Sequence, residues 1–170
     1  MKNAVLAVCL ATAVAAAPPV LRPAPDFHMT DPSGKSFDLS RYRGKVVVMQ
    51  FLYTTCGHCQ AAAQMLSRLQ SELGPRGLQV IGIAFNPGSA QPGVVDEFVK
   101  TNHVNFPVGT SPMDPVLSYL GIPVVERFGV PQIVIVDRRG MIRAQSESQG
   151  TSQLTDESYL KPLLEELLKK

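Results

Sequence analysis

An α/β fold, a mixed sheet covered by helices on both sides, is predicted by two patterns and one tetrapeptide. Continuous apolar runs of strand length, from Val46 to Leu52 and from Leu78 to Phe85, suit strands buried on both faces. Between them, from Gly57 to Leu73, Ala62, Met65, Leu66, Leu69 and Leu73 recur at helical spacing. Cys56-Gly57-His58-Cys59 stands where the first strand meets this helix and sets two thiols one helical turn apart. At 170 residues the chain is long enough for one domain with a full core. Its net charge of +2 is made of scattered charges of both signs, clustered only at the terminal Lys169-Lys170, which gives no electrostatic footprint for nucleic acid.

Taken in order, Met1-Lys2-Asn3 followed by the apolar stretch Ala4 to Ala17 reads as a secretory signal peptide over residues 1–16, cleaved after Ala16. The run is shorter than the ~20 residues of a spanning helix, and Pro18-Pro19 ends it, so no stable membrane span is expected after cleavage. Cys9 is discarded with the signal. Residues 17–25 form a Pro-rich linker, and 26–170 the folded domain. Asp26 to Asp38 is a hairpin turning at Asp31-Pro32-Ser33-Gly34-Lys35, and Gly74-Pro75 stops the first helix. After the second long strand come a helix over Val94 to Thr101, a short strand near Phe106 and helical turns over Asp114 to Leu120. Ile133 to Asp137 and Met141 to Ala144 flank Arg138-Arg139-Gly140 as a hairpin, and the stripe Leu160, Leu163, Leu164, Leu167 and Leu168 marks a helix from Glu157 to Lys169. The order is β-hairpin, βαβαβ, ββα, with right-handed parallel crossovers in the middle.

The tetrapeptide carries the chemistry. With the helix beginning at or just after Cys56, that sulfur lies among unpaired backbone N–H groups at the positive end of the helix dipole, which favours the nucleophilic thiolate. Cys59, three residues on, is close enough to close a disulfide back onto Cys56. A structural zinc site needs about four N/S ligands, and no second cysteine pair exists. A purely structural bridge over so short a loop removes little unfolded-state entropy. An exported chain whose only two mature thiols are Cys56 and Cys59 therefore points to disulfide exchange in an oxidising compartment, the periplasm or another exported location.

Beyond the tetrapeptide, Ala24-Pro25-Asp26-Phe27 with Asp31 to Leu39, Arg43-Gly44-Lys45-Val46-Val47-Val48, and the run from Phe128-Gly129-Val130-Pro131-Gln132 to Asp137-Arg138-Arg139-Gly140 resemble the exported thioredoxin-like proteins of the TlpA/ResA group. That group lies within the wider redoxin, AhpC/TSA-like set that includes the peroxiredoxins. The resemblance implies a thioredoxin-like fold with an N-terminal hairpin and a strand-helix insertion between its halves. It implies a thiol-disulfide oxidoreductase in which Cys56 attacks, Cys59 resolves, and Gly57, His58, Val130 and Pro131 support them. Pro131 matches the family's cis-proline, which leaves the Val130 backbone open to pair with an extended substrate segment.

The sequence also departs from the pattern. Thr55 stands where the family often has Trp, and Gln50 where thioredoxin has a buried Asp that assists the resolving thiol; either a water or Glu126 takes that proton instead, or Gln50 only satisfies buried hydrogen bonds. His58 gives the Gly-His pair of protein disulfide isomerase, which implies a more oxidising couple than thioredoxin's, on a scale of ~90 mV. His28 and His103 are assigned surface or structural roles. The peroxiredoxin signature needs Pro and Thr where Met49 and Tyr53 stand, which disfavours a peroxide reductase. A Sco-like copper metallochaperone is the other alternative, since two thiolates and a His suit Cu(I), although Sco sites space their cysteines by three residues and here the gap is two. The expected partners are protein thiols or disulfides and an unidentified redox partner, for a monomer with no cofactor and no metal.

Overall fold

A computed structural model describes residues 21–149 and 152–169; the stretch read as a signal peptide and residues 17–20 of the stretch read as linker lie outside them. The strands are β1 (Arg22–Pro23), β2 (His28–Thr30), β3 (Ser36–Asp38), β4 (Val46–Leu52), β5 (Leu78–Ala84), β6 (Val108–Thr110), β7 (Gln132–Val136) and β8 (Met141–Gln145). The helices are α1 (Gly57–Leu73), α2 (Val94–Thr101), α3 (Met113–Leu120) and α4 (Glu157–Leu168). All eight strands join one sheet in the order β1-β8-β7-β4-β5-β6-β2-β3. β4, β5 and β6 run parallel, while β7 lies antiparallel to β4 and β8 antiparallel to β7.

Alternation along the central strand divides the core. Val46, Val48 and Leu52 point to the face covered by α1, α2 and α4; Val47, Met49 and Phe51 point to the face covered by α3 and the N-terminal hairpin. The two crossovers β4-α1-β5 and β5-α2-β6 step across the sheet in one direction, so one hand of connection puts both helices on one side. On the other face Phe51 packs against Phe27 and Tyr119, with ring centroids 5.5 and 5.7 Å away.

Three local features differ from the sequence expectation. Arg22 and Pro23, in the stretch read as linker, pair with Ile142 and Met141 as a short edge strand, a place where proline's missing N–H is tolerated. The short strand near Phe106 starts only at Val108; Phe106 itself is buried, and the Pro107 carbonyl accepts from the Gly82 N–H at 2.9 Å. α1 stops at Leu73, but Gly74-Pro75-Arg76 continues as a 3-10 turn, and the reversal into β5 falls on Gly77 at φ 106°, the left-handed region that favours glycine.

Candidate active site

Cys56 and Cys59 sit where β4 delivers the chain into α1. Cys56 has extended backbone angles and is the residue that caps the helix: its Sγ accepts the Cys59 N–H at 3.3 Å, one of the donors a helix start leaves unpaired. The loop before it is braced from three sides. The Cys56 N–H donates to the Tyr53 carbonyl, the Thr54 N–H to Asn86 Oδ1 at 3.0 Å, and Gln60 Nε2 to the Thr54 carbonyl at 3.1 Å.

The two thiols are free and differently exposed. Cys56 is half-buried; Cys59 is fully buried in the core beneath α1. Burial first, and then its contact with the Cys56 side chain, push the Cys59 thiol far above the ordinary range, so it holds its proton in the reduced state. Gln50 lies directly below. The period-2 alternation of β4 turns its side chain toward α1, where Nε2 donates to the Cys59 carbonyl at 2.9 Å. Its Oε1 is buried with no partner among the described residues. The neutral amide thus anchors the first helical turn and offers no carboxylate near Cys59. Glu126 is exposed on the loop after α3.

The other half of the site is the segment 129–131. The Val130–Pro131 peptide is cis, and the Val130 carbonyl lies 3.8 Å from Cys56 Sγ, which donates to it. Among the described residues nothing accepts from the Val130 N–H. A cavity of about 440 Å³ opens between the first turns of α1 and this segment, lined by His58 and Ala61 of α1, Val130 and Pro131, and Gln149 with Thr155. Gly57 and His58 are exposed in the first turn of α1. All six residues singled out in the sequence therefore meet at one place. Among the described residues no three His, Cys, Asp or Glu side chains cluster to hold a metal ion. His28 is exposed and bonds Asp38 across the hairpin at 2.5 Å; His103 is exposed after α2.

Periodicity did not single out a set of aromatic rings that links the two halves. Phe85 packs against Tyr53 at 4.8 Å and against Phe128 at 6.0 Å, Tyr53 preceding Cys56 by three residues and Phe128 preceding Val130 by two. Thr55, at the position where an aromatic was expected, is exposed, so the rings near this site come from residues 53, 85 and 128. Two apolar-strand ends and a loop supply them, and no local spacing relates the three.

Similarity to known proteins agrees with this geometry. The AhpC/TSA family pattern matches residues 20–145. The thiol-disulfide oxidoreductase ResA of Bacillus thuringiensis subsp. konkukian is 24% identical over 140 residues, covering 82% of this chain and 76% of its own. ResA of Geobacillus thermodenitrificans is 26% identical over 120 residues, 71% of this chain and 64% of its own. Among solved structures, a thiol:disulfide interchange protein of the thioredoxin family from Chlorobium tepidum superposes with a TM-score of 0.70 at 22% identity, covering 91% of this chain and 99% of its own.

Proposed function

The chain belongs to the AhpC/TSA family and is a thiol-disulfide oxidoreductase of the thioredoxin-like kind, and from that premise we propose that it exchanges disulfides with protein clients outside the cytoplasm through Cys56 and Cys59. The observation that carries the assignment of roles is the unequal burial of the two thiols. Cys56 is the one a client sulfur can reach, at the helix start and facing the open Val130 edge. Cys59 is enclosed and protonated until the reaction needs it.

In the reducing direction the Cys56 thiolate attacks one sulfur of a client disulfide. The Cys56–client S–S bond forms as the client's own S–S bond breaks, and the other client sulfur leaves as a thiolate. Cys59 passes its proton to the first client thiolate, directly or through water, and attacks Cys56 Sγ; the Cys56–Cys59 bond forms, the mixed disulfide breaks, and the second client thiolate departs. Two electrons pass to the client, and the enzyme is left oxidised. The reverse sequence oxidises a client dithiol. Outside the cytoplasm is the reading supported by the N-terminal sequence, whose short basic start and apolar stretch are those of an exported chain. Among the described residues no helix is long and apolar enough to cross a membrane.

The test is trapping. Cys59→Ser keeps the attacking sulfur and removes the resolving one, so mixed disulfides with client proteins accumulate and are released by reductant. Cys56→Ser traps none and lowers exchange activity by about a thousandfold or more. Equal trapping by the two variants overturns the division of roles, and labelling of Cys59 ahead of Cys56 by an alkylating agent reverses it; a folded Cys59→Ser protein that captures no protein in its native compartment removes the protein clients.

A further inference from the structure

The segment 129–131 bears half the site, yet only Pro131 and Val130 of it touch the cavity or Cys56. What fixes it is the next residue. Gln132 is fully buried at the start of β7, opposite Phe51 of β4. Its Nε2 lies 2.8 Å from the Gly129 carbonyl, 3.0 Å from that of Glu147 and 3.1 Å from that of Ser148. Three acceptors converging on one group identify it as the NH2 end of the amide, because the oxygen would be repelled by all three. Its Oε1 is buried and has no partner among the described residues, a cost that an apolar side chain of the same length would not carry.

The same two stretches are joined again on either side of that amide. The Gly129 N–H donates to the Ser148 carbonyl at 2.8 Å, and Gln149 Nε2 donates to the Arg127 carbonyl at 3.0 Å. Gln149 itself lines the cavity across from His58. The wall made by Val130 and Pro131 and the wall made by Gln149 are therefore joined by these two bonds and by the buried amide between them, which ties the chain before the strand to the chain after β8.

We propose that Gln132 is a positioning residue for client binding: its Nε2 sets the spacing of the Val130–Pro131 edge and the Gln149 wall, and so the groove in which a client segment lies beside Cys56. The inference rests on the reading that protein disulfides are the substrates. Gln132 touches neither thiol, and it acts through backbone carbonyls alone. Loss of its donor leaves the Gly129 and Glu147 carbonyls to find other partners, only that of Ser148 keeping the Gly129 N–H, and loosens the two walls, which weakens the hold on an extended client more than it slows the sulfur chemistry. Misplacing a binding group by about 1 Å is enough for effects of up to about a hundredfold.

The experiment follows the reduction of insulin disulfides, with dithiothreitol returning the oxidised Cys56–Cys59 pair to thiols. Gln132→Met keeps the length of the side chain and removes the donor; the expected result is a KM for insulin raised about tenfold with a much smaller fall in kcat. Gln132→Glu, held neutral among carbonyls, keeps one O–H donor and should fall between Met and the native residue. Ser146→Ala removes a neighbouring buried bond, Ile133 N–H to Ser146 Oγ at 2.9 Å, without touching the walls, and should leave the KM at its native value. Should Gln132→Met not fold, the order of the native, Gln132→Glu and Ser146→Ala proteins decides the matter in the same assay. A native KM in Gln132→Met or Gln132→Glu, or an equal rise in Ser146→Ala, overturns the proposal. If the native protein does not reduce insulin or any other protein disulfide, it is the assignment of protein clients that fails.

Discussion

The Cys56–Cys59 turn and the Gly129–Pro131 segment face each other across the same cavity, and they are held by different physics. The turn is made locally. A buried strand ends, a helix begins, the Cys56 sulfur takes the place of a capping oxygen, and Leu66, Leu69 and Leu73 press the helix onto the sheet. The segment has no secondary structure of its own and no apolar stripe; it is fastened by the Gly129 N–H to the Ser148 carbonyl, by Gln149 Nε2 to the Arg127 carbonyl and by the side chain of Gln132. Each half also leans on one buried glutamine, Gln50 under the turn and Gln132 behind the segment, each with an Oε1 that has no partner among the described residues. Helix packing fixes the reactive sulfurs to the core, while a polar lattice fixes the edge a client would meet. Stability and client binding are thus separable by mutation.

Removing packing under the turn should have the largest effect on stability. Leu66 is fully buried among the residues between α1 and the sheet, and Leu66→Ala leaves a cavity there. A loss of about 2–5 kcal/mol in urea unfolding is expected. If the helix half depends on its core contacts, Cys59 in this variant becomes reactive to alkylating agents at lower urea than in the native protein, while insulin binding per folded molecule is kept. Unfolding at the native midpoint would mean that the turn is held by something other than packing.

A smaller loss is expected behind the segment, at the β7–β8 hairpin. Asp137 and Arg143 pair at 3.0 Å with side chains only 11% and 12% exposed, and the carboxylate also accepts the backbone N–H groups of Arg139 and Met141. Burial pushes the Asp137 carboxyl up, but the Met141 N–H, the Arg143 guanidinium and the Arg139 N–H together bring it below its ordinary value. A depressed carboxyl contributes stability above its unfolded value, near pH 4, and loses it as pH falls through the folded value. Asp137→Asn should cost about 1–3 kcal/mol at pH 7 and progressively less below pH 4. A pH-independent cost would show that the ion pair is not its source.

How much of this was legible in the sequence follows the same division. β4, α1, β5 and α4 were readable because their signals are local: an apolar run, a helical stripe, a Gly-Pro stop, and Cys56 and Cys59 one turn apart. Pro131 and Val130 were reached only through resemblance to a family, since nothing in their neighbours' spacing brings them to Cys56. Gln132 carried no signal at all. A glutamine opening an apolar strand looks like an exposed end, and its burial depends on carbonyls that arrive from residues 147 and 148. β1 was hidden for a related reason, because a two-residue edge strand containing Pro23 exists only by virtue of its pairing with β8.

The smallest expected effect tests whether the two halves communicate through His58. This residue belongs to the turn but lines the cavity with Val130 and Pro131, and among the described residues its ring makes no hydrogen bond to Cys56. A ring N–H or a positive charge near the Cys56 sulfur favours the reduced protein and does nothing for the disulfide, which makes the couple more oxidising. Proline is tolerated in the first turn of a helix, so His58→Pro removes the ring without breaking α1. The reduction potential should become more negative by some tens of millivolts, where about 30 mV corresponds to ~1.4 kcal/mol for two electrons. Measured in glutathione buffers at a fixed pH near neutrality, an unchanged potential with a raised KM for insulin would instead place His58 with the client edge, and leave the redox poise to the helix start and the buried Cys59.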